Sequence, residues 1–170
     1  LDHTDSDTIR DLISNTKSVI HSERYKLNTP ASPHLAAELD GIEIEKNNII
    51  EPHTQNHLVI EGAGGLFVPI NSSENVIDLI LPEYEVVIVS RHYLGSINHT
   101  LMTIESLWNR NASILGIVFS GNENKPTEKL ILDRTGLKMI GRVEEEPYFD
   151  KSVIKEYADQ FRDNLNSQKS

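Results

Sequence analysis

The 170 residues contain no cysteine. That excludes disulfides, thiolate nucleophiles and cysteine-based metal sites, and it suits a reducing compartment. Basic residues are scarce beside acidic ones, 16 against 26, for a formal net charge of −10. The deficit is spread along the chain, since residues 1–60 and residues 61–170 each carry a net −5. Neutralising a phosphate backbone needs clustered lysine and arginine, so no nucleic-acid partner is expected. Long hydrophobic runs are missing too. No stretch approaches the ~20 apolar residues of a membrane-spanning helix. The first twenty residues hold charges and no apolar core of a signal peptide. The expectation is a cytoplasmic chain with no membrane partner. The first residue is Leu1 rather than Met, as in a chain that has lost residues or is a piece of a longer one.

Several catalytic signatures are absent as well. No Gly-x-Ser-x-Gly occurs to carry a serine nucleophile. His53 and His57 stand four apart, but Thr54 follows the first where a helical zinc motif needs Glu. His34 and His99 have no acid–nucleophile partner in sequence and read as surface or hydrogen-bonding histidines. No Gly-Lys-Ser/Thr ending turns a glycine-rich segment into a P-loop.

What remains is an ordinary soluble composition, 38% hydrophobic and 25% charged, in a length that suits one domain spanning residues 1–170. Residues 57–61, 85–90, 114–119 and 138–143 are short, nearly continuous apolar runs. They are predicted to be strands buried on both faces. Between them Ile97, Leu101, Ile104, Leu107 and Trp108 recur at helical spacing. Val153, Ile154, Tyr157, Phe161 and Leu165 do the same after a candidate cap at Asp150. A shorter helix fits residues 5–15, and residues 27–52 read as a long loop with one short helix. Alternating strands and helices make a parallel α/β sheet.

Three segments carry candidate chemistry. Residues 57–65, His-Leu-Val-Ile-Glu-Gly-Ala-Gly-Gly, take a strand through Glu61 into Gly62, Ala63 and Gly64. Ligands sit beyond the carboxyl ends of such strands. Glycines there admit an anion closely, and Glu61 is suited to a hard cation such as Mg2+. The plain alternative is a strand-to-turn transition with a solvated Glu. Asp7, in Asp-Ser-Asp at a helix start, is either a second metal carboxylate or a helix cap. Gly95, Ser96, Ile97 and Asn98 begin the next helix, whose N-terminus can hold a carboxylate or phosphate; capping by Ser96 or Asn98 explains the same letters. The acidic turn Glu144, Glu145 and Glu146 before Pro147 reads as a solvated loop.

Together these segments resemble the dethiobiotin synthetase family over nearly the whole chain. Residues 29–37, Thr-Pro-Ala-Ser-Pro-His-Leu-Ala-Ala, are similar to its Pro-x-Ser-Pro-His signature. Residues 59–65 followed by Val68, Pro69 and Ile70 resemble its strand and glycine loop, and residues 94–101 its Leu-Gly-x-Ile-Asn-His element. The resemblance implies a P-loop NTPase-like α/β fold, a three-layer sandwich on a mostly parallel sheet, assembled as a homodimer. It implies a ligase that makes a carbamate from CO2 and one amine of 7,8-diaminopelargonate. ATP activates the carbamate as a carbamic–phosphoric anhydride, and the second amine closes the ureido ring. By the same resemblance Asp7 and Glu61 are Mg2+ ligands. Glu61, Gly62, Ala63, Gly64, Ser120, Gly121, Glu144, Glu145 and Glu146 border the nucleotide with Asp7. Gly95, Ser96, Ile97 and Asn98 receive the substrate carboxylate.

The departures are specific. The family's first βαβ portion, with its Gly-Lys-Thr P-loop and a later Lys-Pro-x-x-Ser/Thr-Gly, has no counterpart in these residues, and Leu1 corresponds to the position just after it. The expectation is therefore that these 170 residues do not turn over alone, because the phosphate cradle and lysines are not among them. Ser120 stands where the family has Asn to read the base, and Glu144 where it has Pro. Those changes motivate a rival reading, a non-catalytic, dimerising remnant of the family. A related P-loop amide ligase or partitioning ATPase fits less well, given the Ser-Pro-His and Ile-Asn-His elements.

Overall fold

The computed structural model describes residues 4–166. They divide into two compact units, one running to Ile80 and the other starting at Leu81.

In the first unit, helix α1 (Asp5–Leu12) starts at a capping box. The Thr4 side chain accepts from the Asp7 N–H, and the Asp7 carboxylate accepts from the Thr4 N–H. The helix is shorter than predicted because Ile13 already has extended backbone. Helix α2 (Pro33–Asp40) uses Pro33 in its first turn and ends at Gly41 in the left-handed region. A 3-10 turn, Lys46–Asn48, follows, and a second spans Val76–Leu79. The predicted long loop with one short helix is therefore observed. A small core gathers Ala37, Ile44, Ile70 and Val76, flanked by Tyr25, Leu27 and Val68.

One predicted strand does not form. Residues 57–61 have no strand structure, and Val59 is 92% exposed. An extended apolar run becomes a strand only where a neighbour pairs with its backbone, and among the described residues no ladder includes it.

The second unit holds the parallel sheet, in the order β1 (Glu85–Arg91), β2 (Ser113–Ser120) and β3 (Met139–Val143). Helix α3 (Ser96–Asn109) crosses from β1 to β2, and α4 (Lys125–Thr135) from β2 to β3. Helix α5 (Lys151–Asn166) is the last element among the described residues. Its start is capped as predicted, with the Ser152 and Val153 N–H groups donating to the Asp150 carboxylate at 2.8 and 2.9 Å.

Successive side chains on a strand face opposite ways. Arg142 reaches Glu128 on α4, while at Gly141 an added Cβ would run into the Phe161 ring on α5. Helices α4 and α5 therefore lie on opposite faces of β3, and this unit has the predicted three layers. On the α3/α4 side, Ile88, Ile104, Leu107, Ile117, Phe119, Ile131 and Ile140 form the core. The other face of β1 leaves Val87 and Val89 exposed. Trp108 departs from the predicted α3 stripe: it is 46% exposed, while Ile104 and Leu107 fill the interior. Gly116 permits the close approach of β2 to the start of β3, since a Cβ there would stand 2.7 Å from the Lys138 carbonyl oxygen.

Candidate functional site

The carboxyl ends of the three parallel strands meet at one edge, where open α/β sheets place their ligands. The chain leaves β1 at His92, β2 at Gly121 and β3 at Glu144. Two backbone bonds tie these exits together: the His92 N–H donates to the Ser120 carbonyl and the Gly121 N–H to the Val143 carbonyl, both at 2.9 Å. Gly121 has φ +107°, which a side chain would strain. The structure thus brings together Ser120, Gly121 and Glu144, three of the residues assigned by resemblance.

The acidic turn is ordered by Tyr157 of α5. Its hydroxyl accepts from the Glu144 N–H at 3.1 Å and donates to the Glu146 carboxylate. That carboxylate raises the Tyr157 pKa above the ordinary phenol value. Glu144 also stands 3.7 Å from the Arg142 guanidinium, while Glu145 is simply exposed. The turn is the exposed loop expected of three consecutive acids, with Tyr157 bracing it at Glu144 and Glu146.

Beneath this edge lies a charged cluster that sequence reasoning missed. Glu128, 5% exposed, accepts from Arg142 Nη2 at 2.7 Å and Nε at 2.9 Å. It also accepts from His92 Nε2 at 2.9 Å and from the Asn124 N–H at 3.2 Å. A carboxylate can only accept, so His92 carries its proton on Nε2. Burial alone would raise the Glu128 pKa, but the bonds from Arg142, His92 and Asn124 outweigh it and hold the carboxyl down at about 2. The His92 ring stacks on Phe119, and its Nδ1 is buried without a hydrogen-bond partner. The sequence did carry one signal. Arg142 interrupts a buried apolar strand, and an arginine there demands an acid.

Gly95, Ser96, Ile97 and Asn98 form the start of α3, just beyond the same end of β1. Gly95 is the cap residue at φ +99°, and no side chain caps this terminus. The capping role weighed for Ser96 and Asn98 is therefore not observed. Ser96 is buried, and Asn98 instead contacts Met102 Sδ at 3.4 Å. The Ser96 N–H donates to the Tyr93 carbonyl, and Tyr93 bonds His99 Nδ1 through its hydroxyl. An uncapped helix start of this kind presents backbone donors and partial positive charge to an anion.

In the first unit, Asp7 serves as the capping partner of Thr4 and also pairs with Arg10 at 2.6 Å. The cap alternative for Asp7 is thus the observed role. Glu61, Gly62, Ala63 and Gly64 lie in an exposed loop instead of at the end of a buried strand. Gly64 has φ +76°, as a close turn requires. Among the described residues no three metal-ligating side chains come together. The donor chemistry still fits Mg2+, which takes one or two carboxylates and completes its shell with water and phosphate. Glu61 can offer an exposed oxygen. Asp7 would first have to exchange its Arg10 contact.

Comparison with known proteins agrees with this architecture. A family described as an AAA domain matches residues 1–153. An ATP-dependent dethiobiotin synthetase BioD of Christiangramia forsetii is 53% identical over 165 residues, covering 97% of this chain and 80% of that protein. The protein of the same description from Cytophaga hutchinsonii is 46% identical, covering 96% and 81%. That from Nitrobacter hamburgensis is 39% identical, covering 94% and 76%. With an α/β fold built on a parallel sheet, the chain belongs to the P-loop NTPase family of ATP-dependent dethiobiotin synthetases.

Proposed function

We propose that this protein performs the ligase reaction of its family in biotin synthesis: ATP-dependent closure of the ureido ring from 7,8-diaminopelargonate and CO2. The observation that carries this reading is the uncapped start of α3, built from Gly95, Ser96, Ile97 and Asn98 at the carboxyl end of β1. Its backbone donors suit the carboxylate of the diamine substrate, which they would anchor and orient.

Ser120, Gly121 and the turn from Glu144 to Glu146 would border the nucleotide base. The Ser120 hydroxyl both donates and accepts there, whereas Glu144 only accepts. Glu61, with Gly62, Ala63 and Gly64, would border the phosphates, and Glu61 would supply a carboxylate oxygen to Mg2+. When bound, that ion offsets phosphate charge. Asp7 is a second candidate ligand, conditional on releasing Arg10. The 170 residues contain no Gly-Lys-Thr cradle, so by themselves they are expected to bind substrate without turnover. We place the enzyme in the cytoplasm as a homodimer; among the described residues no helix is long and apolar enough to cross a membrane.

The test is mass-spectrometric detection of dethiobiotin from ATP, bicarbonate and 7,8-diaminopelargonate, using the protein as its gene encodes it. No product under these conditions would sink the reading. Calorimetry addresses the rival: binding of the diamine with no binding of Mg-ATP would favour a non-catalytic family member, the reading that the Ser120 and Glu144 departures motivate.

A further inference from the structure

We propose that Glu128 is a positioning residue for the nucleotide-facing edge: by clamping His92 and Arg142 it fixes the Ser120–Gly121 exit and the Glu144 turn. The inference rests on the proposed function for the identity of the ligand, and on geometry alone for the clamp.

Glu128 belongs to α4, yet its carboxylate is bonded to residues on two different strand exits. His92 follows β1, and Arg142 is the penultimate residue of β3, two before Glu144. The β2 exit between them is held by backbone bonds, from His92 to Ser120 and from Gly121 to Val143. One side chain on one helix therefore links all three exits. Arg142 extends the clamp upward, to Glu123 at 3.2 Å and to Glu144 at 3.7 Å. Charge-assisted and bidentate bonds of this kind fix angles as well as distances. An apolar cluster of equal volume would hold the layers together without aiming the exits. Glu128 is buried and reaches a ligand only through others, so it shapes the site without touching it.

The experiment uses the protein as its gene encodes it, comparing Glu128→Gln with the parent and with the double variant Glu128→Gln/Arg142→Gln. Glutamine keeps the shape and removes the charge. The expected result is a rise of about tenfold or more in KM for ATP, with KM for 7,8-diaminopelargonate within about twofold of the parent. Amide hydrogen exchange should quicken at His92 and Gly121 but not at Ile117, whose N–H bonds the Lys138 carbonyl deeper in the sheet. The double variant should regain stability, because it removes both charges of the pair together, but its KM for ATP should stay raised, because the clamp is still missing. If Glu128→Gln does not fold, Arg142→Lys replaces it, keeping the charge and losing the fork. An unchanged KM for ATP would overturn the proposal. So would both KM values rising together with exchange faster throughout the sheet, which marks a purely structural role. Should the parent show no ATP-dependent turnover, the proposed function fails and exchange alone decides the clamp: selective loss at His92 and Gly121 supports it, and uniform or absent change refutes it.

Discussion

Acid should weaken the second unit through Glu128 in a defined window. The carboxyl is held at about 2 in the folded protein against an ordinary 4.5. A depressed carboxylate stabilises the fold above its unfolded value and loses that contribution as pH falls toward its folded value. The gap is roughly 2.5 units, and at 1.36 kcal/mol per unit it amounts to about 3 kcal/mol near pH 6. At pH 3 about half remains, since the folded carboxyl is still mostly ionised while the unfolded one is protonated. The reporter is built in, because Trp108, the single tryptophan, lies on α3 of this unit. Urea unfolding followed by tryptophan fluorescence from pH 6 to pH 3 would be compared with Glu128→Gln, which has no group to titrate at that position. The parent should lead the variant by about 3 kcal/mol at pH 6, and the lead should shrink by roughly half at pH 3. Parallel stability curves for the two proteins across this range would refute the reasoning.

Three other outcomes follow from the geometry. Gly141→Ala should destabilise the second unit by about 1–3 kcal/mol, read as a lower urea midpoint, because the new methyl meets the Phe161 ring. Asp150→Ala should cost about 1 kcal/mol in thermal unfolding by removing the oxygen that takes two first-turn N–H groups of α5. Thr4→Ala should weaken α1 by about 1 kcal/mol, seen by circular dichroism, since it removes the hydroxyl of the capping box. Asp7→Asn should weaken it by only about 0.3–1 kcal/mol, since its amide oxygen can still accept from the Thr4 N–H while the first-turn charge is lost. If Asp7 also holds Mg2+, only Asp7→Asn should raise the Mg2+ concentration needed for half-maximal turnover; an equal shift in both variants would remove Asp7 from the metal.

Much of the second unit was legible because its signals are local. The three strands that formed are apolar runs bounded by turn residues, and the Asp150 cap lies two and three residues ahead of the N–H groups it serves. Residues 57–61 carry an equally good run and form no strand, because strand structure depends on a neighbour that the run does not specify. Trp108 falls on the predicted stripe by spacing, but the interior of α3 was already filled by Ile104 and Leu107. The site divides in the same way. The start of α3 at Gly95 was readable from consecutive residues, but its lack of a side-chain cap was not, since Ser96 and Asn98 both offered one. The Glu128 cluster joins positions 36 and 14 apart in the chain. Only the fold brings them together, and the lone hint was an arginine inside an apolar strand.

The pairing of Glu128 with Arg142 also constrains how the sequence can drift. Loss of either partner alone takes from the other its main counter-charge in the interior, at up to about 3–5 kcal/mol, a large share of what a domain of this size has to spare. Replacing both with fitting neutral residues is far less harmful. Neither codon can wander by itself, so descendants of this chain should change at 128 and 142 in concert or keep both. His92, stacked on Phe119 and bonded to the same carboxylate, should be the third position drawn into any such exchange.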